Sequence, residues 1–145
     1  MSNQNEQIIH GFLQSFNKGG DAVAALFDEE AIIEFPYAHS LGTPGKLPKA
    51  AYHQYLNNAL PNMPGLQFSQ VQIFDTVSGN MAWAEFHGEA TIPSTGVHYQ
   101  QDYVARFTFR NGKIIHYKEY WNVAPGLEAF GGKHKTQEQF THQTK

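Results

Sequence analysis

An α+β domain, with helices first and an antiparallel sheet after them, is what this sequence predicts, on three observations. Apolar residues recur at helical spacing within residues 4–18, at Ile8, Ile9, Phe12, Leu13 and Phe16. From residue 66 onward the period changes to strict alternation, and the alternating stretches are separated by the turn sequences SGN, PSTG and RNG. Helices gathered ahead of a meander, rather than interleaved with strands, point to α+β and away from a parallel α/β sheet.

The first helix should stop in NKGGD, where Gly19 and Gly20 break it and Asp21 stands ready to cap a short second helix over about 22–27. AIIEFPY (31–37) is expected as a strand ended by Pro36, which has no amide hydrogen for a ladder. AHSLGTPGKLP is expected as a loop, with Pro48 opening a third helix that runs to about Leu60. Four long strands follow, over about 66–77, 80–92, 98–110 and 113–123. The polar stretch GGKHKTQEQFTHQTK (131–145) is expected to be a frayed tail on a single domain spanning residues 1–145.

Composition narrows the function classes. Hydrophobic residues at 41% and charged residues at 16% describe a globular chain, and 14% aromatics supply rings for a pocket as well as a core. A net charge of −3 carries no basic footprint, so neither nucleic acid nor an anionic membrane is expected as a partner. Cysteine is absent, which removes disulfides, thiolate nucleophiles and Cys-based metal sites. MSNQNEQIIHGFLQSF lacks the basic and apolar regions of a signal peptide, and no run approaches the ~20 apolar residues of a membrane span. A cytoplasmic location is the expectation.

The strand phases say which side chains face inward. In strand 98–110 the odd positions Tyr99, Gln101, Tyr103, Ala105, Phe107 and Phe109 form the inner face. In strand 80–92 the even set, Ala82, Ala84, Phe86, Gly88 and Ala90, is inward and mostly small, which leaves room above the sheet. The last strand depends on its turn, because a one-residue change of register sends every side chain to the other face. A two-residue Asn111-Gly112 turn would pair Phe109 with Ile114 and put His116, Lys118 and Tyr120 inside. A three-residue loop with Gly112 as a bulge would pair Phe109 with Lys113 and put Ile115, Tyr117, Glu119, Trp121 and Val123 inside, Glu119 then lying opposite Tyr103. The second buries one ionisable group rather than two and is preferred. An inward Glu119 among aromatic residues should have its pKa raised by desolvation, the condition for a proton shuttle near neutrality; the plainer alternatives are a carboxylate that satisfies a buried hydroxyl, or a solvated surface charge.

The order of elements resembles the ketosteroid isomerase/SnoaL-like superfamily, also called nuclear-transport-factor-2-like, and within it the phenazine biosynthesis A/B proteins. The likeness rests on LPNMPGLQFSQVQIFDT, WAEFHG and GKIIHYKEYWNVAPGLEAF. It implies a cone-shaped curved antiparallel sheet wrapped around the N-terminal helices, a cystatin-like or SnoaL-like fold. It also implies a homodimer through the outer sheet face, where Trp83, His87, Val104 and Tyr120 form a partly apolar strip. The isomerase chemistry does not carry over: its base falls on Phe35, its hydrogen-bonding Asp near Ala105 and its Tyr near Phe12 or Leu13. The acidic residue of the phenazine proteins, thought to act as acid/base in joining a ketone to an amine, falls on Glu119. Their His and Ser on the third helix have no gap-free match, and a one-residue shift places His53 and Asn57 there.

The candidate catalytic residues are therefore Glu119 and His53. The candidate ligand-binding set is Phe35, Tyr37, His39, Tyr52, Tyr55, Asn57, Phe86, Gln101, Tyr103, Tyr117 and Trp121. Taken singly, Tyr37, Tyr52, Tyr55, Tyr103, Tyr117 and Trp121 are each better explained as core, His39 as a loop residue and His53 as a solvated one. The eight histidines show no zinc spacing, and no metal or cofactor is expected. Three functions fit: a cofactor-independent acid/base enzyme acting on an aromatic or carbonyl metabolite, a non-catalytic binder of a small ligand, or a dimeric scaffold.

Overall fold

One mixed sheet carries the chain's helices on its inner face. The computed structural model describes residues 3–141, with α1 Asn3–Ser15, α2 Gly20–Ala24, β1 Phe27–Glu34, β2 Lys46–Pro48, α3 Lys49–Ala59, β3 Gln67–Asp75, β4 Met81–Thr91, β5 His98–Arg110, β6 Lys113–Trp121, α4 Val123–Phe130 and α5 Lys133–Thr141. The sheet is curved and unclosed, in the order β2-β1-β6-β5-β4-β3. β3 to β6 form the expected antiparallel meander, and β1 joins β6 in parallel because the whole meander separates them in sequence. β1 starts earlier than expected, at Phe27, and leaves Pro36 outside the ladder; β2 lies within the stretch expected as a loop.

Helix α1 sits on the inner face through the stripe its spacing predicts. Phe12 meets Phe107 and Phe27 edge-on, at 5.4 and 5.9 Å between ring centroids, and Tyr117 at a tilt at 4.9 Å, tying the helix to β5, β1 and β6. Burying a side chain of this size stabilises by about 1.5–3 kcal/mol. Gly19, at φ 101°, turns the chain from α1 into α2, and Asp21 is not the cap of α2 but a residue of its first turn.

The last hairpin corrects the register argument while keeping its outcome. The loop is the two-residue Asn111-Gly112 turn, with Arg110 opposite Lys113 and Phe109 opposite Ile114. Both turn residues have positive φ, 52° and 78°, as a type I′ hairpin requires. A bulge then follows: Thr108 pairs with His116, so Ile115 is the extra residue and the phase reverses there rather than at Gly112. Below the bulge Ile114 is buried in place of Ile115. Above it Tyr117, Glu119 and Trp121 face inward as expected, with shifted partners: Glu119 lies opposite Ala105, Trp121 opposite Tyr103, and Tyr117 opposite Phe107. Asn111→Ala should cost about 1 kcal/mol, because alanine tolerates the left-handed conformation less well than asparagine. A lowered urea midpoint with unchanged slope would report it; a three-residue loop would leave the midpoint where it was.

The C-terminal stretch is also corrected. Among the described residues, the expected frayed tail contains α5, because Gly131 and Gly132, at φ 91° and 100°, turn the chain back over the sheet's open end. Phe140 is buried there between Tyr55 (5.6 Å) and Phe130 (5.0 Å), and Asn62 donates to the Gln139 carbonyl at 3.0 Å. Ahead of it stands α4, whose N-cap Asn122 accepts from the Ala124 amide at 3.0 Å; Val123, expected inside the last strand, is instead the first residue of this helix, because β6 ends at Trp121.

Candidate functional site

The two buried clusters of the molecule meet around a cavity. One cluster is centred on α1, β1, β5 and β6; the other gathers Ala59, Leu66, Tyr99, Phe130 and Phe140 from the sheet's open end. The cavity between them has a volume of about 90 Å³, and half of its twenty lining residues are aromatic. It is small for a ligand site, below the ~150 Å³ of an apolar cavity that accepts a single benzene ring.

Glu119 is the one carboxylate on this wall and, among the described residues lining it, the one charged group; no lysine, arginine or histidine faces the space. Its carboxylate Oε2 accepts from the Tyr117 hydroxyl, and the Trp121 side chain also hydrogen-bonds it. Burial pushes its pKa up to about 7, and those two hydrogen bonds oppose the rise by favouring the carboxylate. Burial prevails, as expected. The opposing donors are Tyr117 and Trp121, not the expected Tyr103, because the bulge at Ile115 moves Glu119 one pair along β5. The tyrosines around the cavity are held neutral: burial, and then the nearby Glu119 charge, raise Tyr52 and Tyr55 above the usual phenol value.

Seven sequence candidates are brought together at the cavity: Phe35, Tyr52, Tyr55, Gln101, Tyr103, Glu119 and Trp121. Tyr55 is stacked on Phe35 (5.5 Å, 26°) and on Tyr52 (6.2 Å, 22°), making a flat aromatic wall. Gln101 reaches the wall with its amide already engaged: Nε2 donates to the Asn122 carbonyl at 2.7 Å, and Oε1 accepts from the amides of Asn122 and Asp102. It is a clamp on the β6–α4 corner.

The other candidates lie elsewhere. Tyr117 is buried behind Glu119 in the core, and Phe86 lies beneath Tyr103, stacked at 5.0 Å. Tyr37 is 47% exposed and packs edge-on to Tyr120 on the outer side; His39 is exposed on a 3₁₀ turn. His53 is turned to solvent, with Nε2 2.6 Å from the Asp21 carboxylate, and Asn57 lines an outer groove beside Gly20. α3 presents to the cavity the face of Tyr52, Tyr55, Leu56 and Ala59; His53 and Asn57 are on its other side.

Thirteen of the twenty wall residues were not among the candidates, Tyr99, Phe130 and Phe140 among them. Tyr99 shares the inward phase of Gln101 and Tyr103, so the alternation of β5 already pointed to it. Phe130 and Phe140 come from α4 and α5. The sequence signal for α4 was Asn122 ahead of an apolar run closed by Gly131-Gly132. Outside the cavity, His87 bridges Asp102 (2.7 Å) and Glu89 (2.8 Å) on the outer sheet face, and both carboxylates raise its pKa. Among the described residues no three His, Asp or Glu side chains are placed to hold a metal, and no helix is long and apolar enough to cross a membrane.

Comparison with known proteins matches residues 9–117 to the family described as a SnoaL-like domain. A PhzA/B-like protein of Pseudomonas aeruginosa is 29% identical over 133 residues, covering 90% of this chain and 92% of its own length. A Bacillus subtilis crystal structure described as a proposed isomerase superposes with a TM-score of 0.81 at 31% identity, over 90% of this chain and 97% of that one. A phenazine biosynthesis-related protein of P. aeruginosa gives a TM-score of 0.73 over 89% of this chain and 86% of that one; at 20% identity that likeness is one of fold.

Proposed function

The chain belongs to the SnoaL-like domain family, and from that premise we propose that it is a small cofactor-independent enzyme in which Glu119 moves a proton on a carbonyl-containing or aromatic metabolite. The observation that carries this reading is Glu119 itself. It is a carboxyl group on the wall of an aromatic cavity, its pKa pushed up to about 7 and its orientation fixed by Tyr117 and Trp121. A group that titrates near the working pH both gives and takes protons efficiently, and a water-poor wall strengthens its effect on a bound molecule. Isomerisation, cyclisation and carbonyl–amine condensation all begin with such a transfer. Exchange of the α-hydrogens of small ketones such as acetone for deuterium, followed by NMR in D₂O, tests it without knowledge of the natural substrate. Faster exchange with the protein than with buffer supports the reading, and exchange at the buffer rate with bound ketone leaves a binding protein.

A homodimer through the outer sheet face completes the proposal. Trp83 and Tyr120 stack there at 6.4 Å across β4 and β6, and Phe74 and Val104 beside them are 48% and 38% exposed. A contiguous apolar strip of this kind on an open sheet favours a covering surface. Light scattering at micromolar concentration should give twice the chain mass of 16.3 kDa, and Val104→Asp should give the monomer.

A further inference from the structure

Resting on the proposed acid/base role of Glu119, we propose that the hydroxyl pair of Tyr99 and Tyr103 is the site that binds the ligand's oxygen, and that the ligand presents there an uncharged carbonyl. The two hydroxyls are 3.0 Å apart, both side chains are buried, and both face the cavity. Two phenols that share one hydrogen bond hold two protons and use one between them, so one is left to donate into the cavity. Donation within a pair of this kind is strengthened by polarisation along the chain of hydroxyls. Burial holds both phenols neutral, Tyr99 up at about 12, so they act as donors rather than as bases.

The pair is held in place from behind. Tyr103 stacks on Phe86 at 15° between planes and takes Phe68 edge-on at 5.8 Å, while Tyr99 packs against Phe130 at 6.0 Å. Gly88 makes room for it: a Cβ there would come within 3.0 Å of the rings of both Tyr103 and Phe68. Gln101, between the two tyrosines on the same face, also hydrogen-bonds Tyr99.

Register relates the pair to the proton shuttle. Trp121 lies opposite Tyr103 and Glu119 opposite Ala105, so Tyr103 and Glu119 are diagonal neighbours on the inner face. Diagonal positions are about 7–8 Å apart, room for a C=O on the phenol with its α-carbon turned to the carboxylate. The step this arrangement serves balances within the ligand and one side chain. Glu119 takes the α-proton, the C–H electron pair becomes the C=C of an enolate, and the carbonyl π pair moves to oxygen, where the phenol hydrogen bond stabilises the charge. Protonated Glu119 then returns the proton to carbon. The charge of the wall sets the ligand class. With one carboxylate and no cationic side chain among the described lining residues, a carboxylate ligand would meet repulsion and find no counter-ion, whereas a neutral ketone meets a donor.

The test compares acetone with 2-methylpropene, which has the same shape but no acceptor, both being smaller than a benzene ring, by NMR titration at pH 8.5, where Glu119 is ionised and cannot donate. The wild type should bind the ketone about tenfold tighter, the difference one neutral hydrogen bond makes. Tyr99→Phe/Tyr103→Phe should bind the two alike while keeping its affinity for the hydrocarbon, which shows that it is folded. Either single variant should retain part of the preference, since one phenol remains. No ketone preference in the wild type, or a preference that survives in the double variant, overturns the proposal. The readout keeps this separate from the proton-transfer reading: it is binding at pH 8.5 and not exchange, so the ketone preference stands or falls whether or not Glu119 catalyses exchange.

Discussion

Glu119→Gln is expected to lose about 10²–10⁴ in the rate of α-hydrogen exchange on a bound ketone, while the affinity for that ketone changes little. Glutamine keeps the size of the side chain, and its carbonyl oxygen can still accept from Tyr117, so the wall is preserved and the proton transfer is removed. In the wild type the exchange rate should rise with pH through about 7 as the carboxylate forms, then level off. Tyr117→Phe removes one of the two hydrogen bonds that favour the carboxylate, so its inflection should move to higher pH. Equal rates in wild type and Glu119→Gln, measured over pH 5–9, would show that exchange takes place elsewhere and leave the cavity as a binding site.

The second large effect is on stability. Glu119 has a raised pKa in the folded protein, from 4.5 to about 7, so between those values the folded state holds a proton that the unfolded chain releases. Stability therefore falls as pH rises from about 4.5 to 7 and is level above that, the reverse of a salt-bridged carboxylate. A shift of this size corresponds to about 3 kcal/mol of destabilisation at pH 8 relative to pH 4.5. Glu119→Gln should abolish that slope and be the more stable protein above neutrality, an exchange of stability for function typical of active sites. Urea denaturation of both proteins at pH 5 and pH 8.5 measures it. His87 contributes in the same direction, since its raised pKa gives stability at low pH that is lost as it deprotonates. Taking the difference between the two proteins cancels it.

Much of this molecule is legible in the sequence, where the relevant physics is local. The stripe Ile9, Phe12, Leu13 makes α1 an inward-facing helix, and alternation delimits β3 to β6 to within a residue or two. The odd phase of β5 places Tyr99, Gln101 and Tyr103 on the cavity wall. The inward facing of Glu119 also follows from the sequence, but the bulge that produces it is at Ile115 and not at Gly112.

What only the tertiary structure decided is non-local. Asn111-Gly112 is a strong two-residue turn signal. Nothing in the hairpin's own sequence announces that the strand slips one residue at Ile115, where β1 lies alongside β6 and Ile114 is taken into the core. The same holds for α3: helical spacing permits His53 and Asn57 on one face, and packing against β1 and α5 turns the other face inward. α5 is too polar to be called by periodicity. It is ordered by the single buried ring of Phe140 and by hydrogen bonds to residues such as Asn62, 77 positions away in the chain. A sequence specifies its periods locally, but a side chain's final facing is set by what packs against it, and those partners are chosen only when the sheet has closed over the helices.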